Sequence, residues 1–121
     1  MRIILVCHLP LLSSLLFVTH TAAYRLSFRN CRCQVAVAVI DRLCNALSAV
    51  YTFFDPVMQR RSLGTYAILR QIEMTRESGC DWLYLGYWIQ GSRKMDYKSR
   101  FRPMQAFRNG HWQLTDLSTM G

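Results

Sequence analysis

The pattern of apolar and polar positions predicts three strands in the first half of the chain. Residues 24–28 alternate apolar and polar side chains, as a strand with one buried face does. Residues 34–41 are almost continuously apolar, which is typical of an interior strand covered on both faces. Residues 47–54 are rich in β-branched and aromatic side chains. We therefore predict that the last two segments form a hairpin, with Asn45-Ala46 at its turn.

A helical period follows the strand that Asp55-Pro56 ends, since proline lacks an N–H donor. Ser62 is a suitable N-cap for a helix that runs to about Ser78, with Gly79 just past its end. Helical spacing predicts one exposed stripe and a broad apolar surface that lies on a sheet. The stripe comprises Tyr66, Arg70, Glu73 and Glu77, and the apolar surface comprises Leu63, Ala67, Ile68, Ile72 and Met74.

A further strand is predicted at residues 82–89, which makes a strand–helix–strand crossover over residues 50–89. Beyond Pro103 the pattern weakens to a turn at residues 108–110 and a tail from residue 114. A hairpin followed by a crossover helix predicts a small α+β sheet protein.

Composition limits the class of protein and of partner. The 121 residues suffice for one domain, and 51% hydrophobic with 18% charged residues is typical of a globular chain. Fifteen Lys and Arg against seven Asp and Glu give a formal charge of +8. Such a charge favours a polyanionic partner, either nucleic acid or an anionic membrane surface.

The five cysteines form no disulfide or metal framework. Cys31-Arg-Cys33 is too short for a C-x2-C zinc half-site, and no histidine lies near it. The chain is therefore predicted to have no metal site and to carry reduced thiols, as proteins of the cytosol do.

The N-terminus has the outline of a signal peptide. Arg2 precedes a mostly apolar run, and the small residues 21–23 resemble a cleavage site. His8, Pro10 and Ser13-Ser14 interrupt the run too often for a membrane-spanning helix. Taken alone, this segment favours secretion.

Cations and aromatic residues alternate in residues 91–103, here called the cation loop, which follows the last predicted strand. Cations bind phosphate and aromatic rings stack on bases, so this composition suits a nucleic-acid end. The alternative is a solvated basic loop after a core strand. The residues concerned are Arg93, Lys94, Lys98, Arg100 and Arg102, with Tyr97 and Phe101 between them.

A second candidate anion site lies at the start of the predicted helix. The free N–H groups and the dipole of a helix N-terminus favour an anion, and Arg60 and Arg61 reinforce the field next to Ser62 and Gly64. The alternative for Gly64 is a glycine needed only for packing.

Three motifs in order carry a resemblance to a known family. They are SAVYTFFDP at residues 48–56, RRSLGTYAIL at residues 60–69 and YLGYWIQGSRKMDYKSRFRP at residues 84–103. The chain from about residue 24 to residue 112 resembles the C-terminal domain of the aminoacyl-tRNA–protein transferases. The resemblance is to their bacterial aspartate/glutamate leucyltransferase branch, which is related to eukaryotic arginyltransferase.

The resemblance implies a GNAT-like acyl-transferase sheet over residues 21–112, with residues 113–121 as a tail. It implies that residues 1–20 reflect a truncated or mis-started reading frame rather than export, because the family is cytosolic. The implied reaction moves leucine or arginine from aminoacyl-tRNA to the N-terminal α-amine of proteins that begin with Asp or Glu, in the N-degron pathway. The ester is already activated, so no cofactor, metal or membrane partner is expected.

The resemblance also implies candidate roles for single residues. Tyr87 and Tyr97 are candidate proton-relay or ribose-positioning hydroxyls, and Lys94 is a candidate oxyanion or phosphate contact. Arg93 is the candidate contact for an acidic acceptor N-terminus. The residues expected to bind tRNA or phosphate are Arg60, Arg61, Ser62, Gly64, Lys98, Arg100 and Arg102.

The balance of side chains around the motifs favours leucine as the transferred residue. Arginine needs a carboxylate partner, whereas leucine needs an apolar slot. Asp55 and Asp96 are the acidic residues within or beside the loops, against many apolar side chains. The alternative functions are a non-catalytic nucleic-acid-binding module and an inactive remnant of the transferase.

Overall fold

The computed structural model describes residues 2–6, 22–30 and 33–114. Two short 3-10 helices span Pro56–Arg61 and Asp96–Arg100, and the described α-helix is α1 (Leu63–Glu77). The described strands are β1 (Arg2–Val6), β2 (Ala22–Asn30), β3 (Cys33–Leu43), β4 (Ala46–Phe54), β5 (Trp82–Tyr87), β6 (Met104–Arg108) and β7 (His111–Leu114).

These strands form one mixed sheet in the order β2-β3-β4-β5-β1-β6-β7. The outer pairs β2–β3, β3–β4 and β6–β7 are antiparallel. The inner pairs β4–β5, β5–β1 and β1–β6 are parallel. A mixed sheet packed against one described helix confirms the predicted α+β class.

The β3–β4 hairpin forms as predicted, with a difference at its turn. Leu43 pairs with Ala46, so the turn residues are Cys44 and Asn45. Asn45 is not among the described residues with positive φ. Its side chain instead holds the next parallel strand: Nδ2 donates to Asp81 Oδ2 at 2.7 Å, and the Asp81 N–H donates to Asn45 Oδ1 at 3.2 Å. This contact fixes the start of β5 beside the start of β4.

The strand β3 is interior in the sheet, as its apolar sequence predicted. Its burial nevertheless alternates: Ala36, Ala38 and Ile40 are buried, whereas Val37 and Val39 are half-buried. One face is therefore fully covered and the other only partly, so the prediction that both faces are covered is confirmed in part. The helix packs on one face of the sheet, and Phe28 on that face contacts Tyr66 with ring centroids 5.3 Å apart.

The crossover β4–α1–β5 is confirmed, with the helix one residue from its predicted start and end. The predicted stripe is exposed, and Gly79 past the helix end has φ 66°. Ser62 does occupy the N-cap position. Its φ of 52° is left-handed, however, and its side chain makes no capping hydrogen bond, so the predicted capping mechanism is wrong.

The strand β1 lies in the middle of the sheet, which the sequence pattern did not predict. It pairs with β5 from Arg2↔Trp82 and with β6 from Ile3↔Met104. The two interpretations of the N-terminus, a signal peptide and a mis-started frame, both concern segments within residues 1–23. Of these, residue 1 and residues 7–21 lie outside the described part of the structure.

The turn predicted near residues 108–110 is confirmed, and it joins β6 to β7. Asn109 and Gly110 have φ of 51° and 83°, the pair of positive angles that a tight hairpin turn requires. The predicted tail begins at residue 114, which is the last residue of β7. Residues 115–121 lie outside the described part of the structure.

The core lies between α1 and the middle strands. Trp88 is 6% exposed and belongs to it. The buried cluster comprises Ile40, Leu47, Ile68, Leu83, Leu85, Trp88 and Met104.

The described cysteines are unpaired thiols: Cys33 and Cys44 are exposed and Cys80 is buried. Cys7 and Cys31 lie outside the described residues. No helix within the described ranges has both the length and the apolarity needed to cross a membrane.

Candidate active site

The candidate site lies where β4 and β5 separate. The two parallel strands pair over three positions, and Ser48↔Tyr84 is the last pair. Residues 49–52 of β4 and 85–86 of β5 then line a cavity of about 820 Å³. A crevice at the carboxyl ends of parallel strands is a common ligand site, because backbone and loop groups converge there.

The start of α1 forms one wall of this cavity. Ser62, Leu63, Gly64 and Thr65 line it, so the free N–H groups of the first helical turn lie next to the cavity. Partial positive charge at a helix N-terminus favours a negatively charged group there. The wall therefore suits an anion or a developing negative charge.

The cation loop folds back over the gap and forms the opposite wall. Arg93, Lys94, Tyr97, Lys98 and Arg100 all line the cavity. The short helix Asp96–Arg100 holds Asp96 and three of these residues, Tyr97, Lys98 and Arg100, in the wall. Four of the cations singled out in the sequence, and Tyr97, therefore do lie together in one wall. They face the start of α1, although the whole of β5 separates them from that helix in the sequence.

Lys98 is the most enclosed of the cavity cations. Its Nζ donates to the carbonyl oxygen of Leu85 at 2.9 Å, at the point where β5 leaves β4. Burial lowers the pKa of the Lys98 ammonium, because a low-dielectric environment disfavours the charged form. Arg93, Lys94 and Arg100 are exposed by comparison. The cavity therefore combines an exposed basic mouth with a half-buried amine.

Tyr97 packs directly on the first turn of α1. A Cβ on Gly64 would lie 3.0 Å from Tyr97 Cζ and 3.2 Å from its hydroxyl oxygen. Burial raises the pKa of the Tyr97 phenol, which keeps its hydroxyl protonated at neutral pH. The contact places a hydroxyl donor beside the helix start, and it gives Gly64 the packing role that the sequence left open.

The contact between Gly64 and Tyr97 predicts that Gly64→Ala destabilises the wild-type chain but stabilises a chain that lacks the Tyr97 ring. Gly64→Ala in the wild-type chain forces the Tyr97 ring to move, and such overpacking costs about 1–3 kcal/mol. In a Tyr97→Ala background the clash is absent, and the higher helix propensity of alanine contributes up to about 1 kcal/mol of stabilisation. Urea unfolding of the four variants measures both effects. An equal effect of Gly64→Ala in the two backgrounds would contradict the contact.

Three of the candidate residues with described side chains, Arg60, Arg61 and Arg102, do not line this cavity. Arg60 and Arg61 are exposed in the last turn of the helix Pro56–Arg61 and do not line it. Arg102 folds onto its own loop, where Nη1 donates to the carbonyl oxygens of Ser99 and Phe101 at 2.7 Å each. Tyr87 ends β5, but its side chain lies outside the described part of the structure.

Sequence reasoning missed the fully buried polar side chain of the cavity wall, that of Gln71. It lies on the buried side of α1 and is 1% exposed. Its position three residues after Ile68 and one before Ile72, both on the apolar surface of the helix, was the available signal. A polar residue at such a position needs a hydrogen-bond partner or a ligand.

Comparisons with known proteins identify the family of the chain. The family model for the C terminus of arginine-tRNA-protein transferases matches residues 9–108. A curated aspartate/glutamate leucyltransferase of Teredinibacter turnerae is 51% identical over 86 residues, 71% of this chain and 35% of that protein.

Further relatives carry the same name. The aspartate/glutamate leucyltransferase of Hahella chejuensis is 49% identical over 87 residues, 72% of this chain and 37% of that protein. That of Gluconacetobacter diazotrophicus is 55% identical over 82 residues, 68% of this chain and 32% of that protein. The chain thus spans about a third of the length of the curated relatives that it matches.

Proposed function

This chain belongs to the arginine-tRNA-protein transferase family, and from that premise we propose that its cavity transfers an amino acid from aminoacyl-tRNA to the N-terminal α-amine of a protein. The observation that carries the proposal is that the cation loop closes the gap between β4 and β5 with a basic mouth, a hydroxyl and a half-buried amine. The site thereby offers groups for RNA, for proton transfer and for the ester.

The proposed donor end is the acceptor strand of a charged tRNA. A formal charge of +8 attracts a polyanion, and Arg93, Lys94 and Arg100 at the mouth are exposed to meet its phosphates. Arg60 and Arg61 are proposed to contact the RNA further out, beside the helix start. Ser62 and Gly64 would contribute backbone N–H groups, whereas Arg102 would act by holding the shape of the loop.

The proposed chemistry is aminolysis of an ester. The free amine of the acceptor protein attacks the ester carbonyl carbon, the new C–N bond forms and the C–O bond to the ribose breaks. One proton moves from the nitrogen to the departing ribose oxygen. The Lys98 amine is proposed to accept the proton from nitrogen, and the Tyr97 hydroxyl to donate one to the ribose oxygen.

Other residues complete the proposed site. Lys94, exposed at the mouth, fits a phosphate contact better than an oxyanion contact. Tyr87 is proposed as a relay hydroxyl at the end of β5. Arg93 is proposed to contact the carboxylate of an acceptor that begins with Asp or Glu, the residues that the names of the relatives contain.

Leucine is the proposed transferred residue, and arginine is the alternative. The relatives are named as leucyltransferases, and the cavity wall includes Ile68, Leu85 and Met95. Asp96 is the carboxylate among the described wall residues, and Asp55 is not part of that wall. An apolar wall suits leucine, because a buried guanidinium without a partner is costly.

We also propose the wider setting that the family resemblance implies. The hairpin β3–β4 followed by the crossover β4–α1–β5 supports a GNAT-like acyl-transferase sheet. Dependence on charged tRNA supports a cytoplasmic location and a role in the N-degron pathway.

A chimera tests the proposed function. Residues 22–114 of this chain replace the matching third of the Teredinibacter turnerae relative, and the chimera, the intact relative and the chain alone are incubated with radiolabelled leucyl-tRNA. The acceptors are two peptides that differ only in an N-terminal Asp or Ala. We expect the chimera to label the Asp peptide. A folded chimera that transfers neither leucine nor arginine, beside an active relative, would refute the proposal.

A further inference from the structure

Gln71 has an unsatisfied acceptor at the wall of the cavity. The side chain is 1% exposed, and its Oε1 has no hydrogen-bond partner among the described residues. The residue also lines the cavity. A buried acceptor without a partner is unfavourable, so a ligand that brings a donor to this oxygen gains affinity from it.

The surroundings of Gln71 indicate which part of a ligand reaches it. The same cavity wall includes Ile68 and Leu85, which are buried, and the cations Arg93 and Lys94, which are exposed. When the phosphates of an aminoacylated RNA end bind the exposed cations at the mouth, the amino acid esterified to that end therefore points towards the buried wall. An aliphatic amino acid carries one hydrogen-bond donor there, its α-amine.

We propose that Gln71 is a positioning residue that accepts a hydrogen bond from the α-ammonium group of the donor amino acid. The inference rests on the proposed function and adds the group that recognises the aminoacyl end. A hydrogen bond that Oε1 accepts from the ammonium group stabilises the protonated form, so the amine of the donor amino acid stays non-nucleophilic while the amine of the acceptor protein reacts. A neutral amide also meets this group without the cost of a buried carboxylate.

The test measures binding, with ligands that cannot react. Short acceptor-stem RNAs carry at the 3′ end an amide-linked leucyl group, a 4-methylpentanoyl group that lacks the amine, or a leucyl group on a 2′-deoxyribose. Affinities for the whole chain are measured by fluorescence anisotropy. We expect the wild type to prefer the leucyl RNA over the desamino RNA by roughly tenfold or more, as a hydrogen bond to a charged group does.

Two substitutions move this preference in opposite directions. Gln71→Met removes the acceptor at similar volume and brings the ratio near one, with affinity for the desamino RNA retained. Gln71→Glu places a charged acceptor at the same point and raises the ratio. The matched control is Thr75→Val, one turn along the same buried side, because the Thr75 hydroxyl donates to the backbone oxygen of Gln71 and Thr75 does not line the cavity.

The outcomes separate the two proposals. If the wild type binds none of the RNAs, the proposed function fails and the inference fails with it. If it prefers the leucyl RNA and both Gln71 variants keep that preference, the inference alone is overturned. It is also overturned if Gln71→Met abolishes the discrimination against the 2′-deoxy RNA instead, because Gln71 would then bind the ribose.

Discussion

Replacing Lys98 with methionine is expected to lower the rate of transfer by roughly a hundred- to ten-thousand-fold, the usual contribution of a positioned acid or base. The half-buried amine bonds to the Leu85 carbonyl oxygen inside the cavity, and burial lowers its pKa. A lowered pKa increases the neutral fraction at physiological pH, and the neutral amine is the form that accepts a proton. Single-turnover transfer with the active form, whether chain or chimera, measures the rate.

The pH dependence distinguishes a base from a fixed charge. In the wild type the rate should rise with pH through the lowered pKa of Lys98 and then level off. Lys98→Arg keeps a positive charge that does not deprotonate, so it should be as slow as Lys98→Met. The matched control is Arg100→Met, an exposed cation of the same cavity, which should weaken RNA binding more than it slows transfer. A Lys98→Arg variant that transfers at the wild-type rate would exclude the role as base.

The same pKa shift predicts how stability changes with pH. Because the folded state lowers the pKa of Lys98, the unfolded state binds more protons between that lowered value and the ordinary one. The free energy of unfolding should therefore rise with pH across this interval. The rise should be smaller in Lys98→Met, and urea unfolding at a series of pH values measures the difference.

The largest loss of stability is expected from Leu83→Ala, at about 2–5 kcal/mol. Leu83 is 0% exposed in β5, where it pairs with Leu47 of β4 on one side and with Ile3 of β1 on the other. Truncation leaves a cavity in the middle of the sheet that neighbouring strands cannot fill without shifting. Domains of this size unfold with only about 5–15 kcal/mol, so the variant should melt far below the wild type.

Leu69→Ala is the matched control for this substitution. It removes the same atoms from α1, but Leu69 is 48% exposed and lies outside the buried cluster. Its effect should be a small fraction of that of Leu83→Ala in urea unfolding. Equal losses in the two variants would mean that the sheet does not pack around Leu83 as described.

The elements whose signals are local were predictable from sequence. The hairpin β3–β4 and the helix α1 each depend on side-chain period and on Pro56 and Gly79 at their ends, all within a few residues of the element. Strand β1 was not predictable in this way. It is short, and its place depends on partners in β5 and β6 far along the chain.

The candidate site was predictable as a set of residue types but not as a geometry. The order of cations and aromatics in the cation loop indicated the wall that the fold forms. The role of each cation depends on how exposed its side chain is, however, and the sequence does not state this exposure directly. Lys94 and Lys98 belong to one motif, yet the first is exposed and the second bonds to Leu85 inside the cavity.

The central place of β1 sets the order in which the chain completes its fold during synthesis. The hairpin β3–β4 and the crossover to β5 join segments that leave the ribosome close together. By contrast, Ile3 pairs with Met104, from the opposite end of the chain. Contacts of such high sequence separation form slowly, because a long loop must close first. Strand β1 therefore acquires both of its partners only after β5 and β6 have been made, and a chaperone that shields an unpaired strand would act on β1 until then.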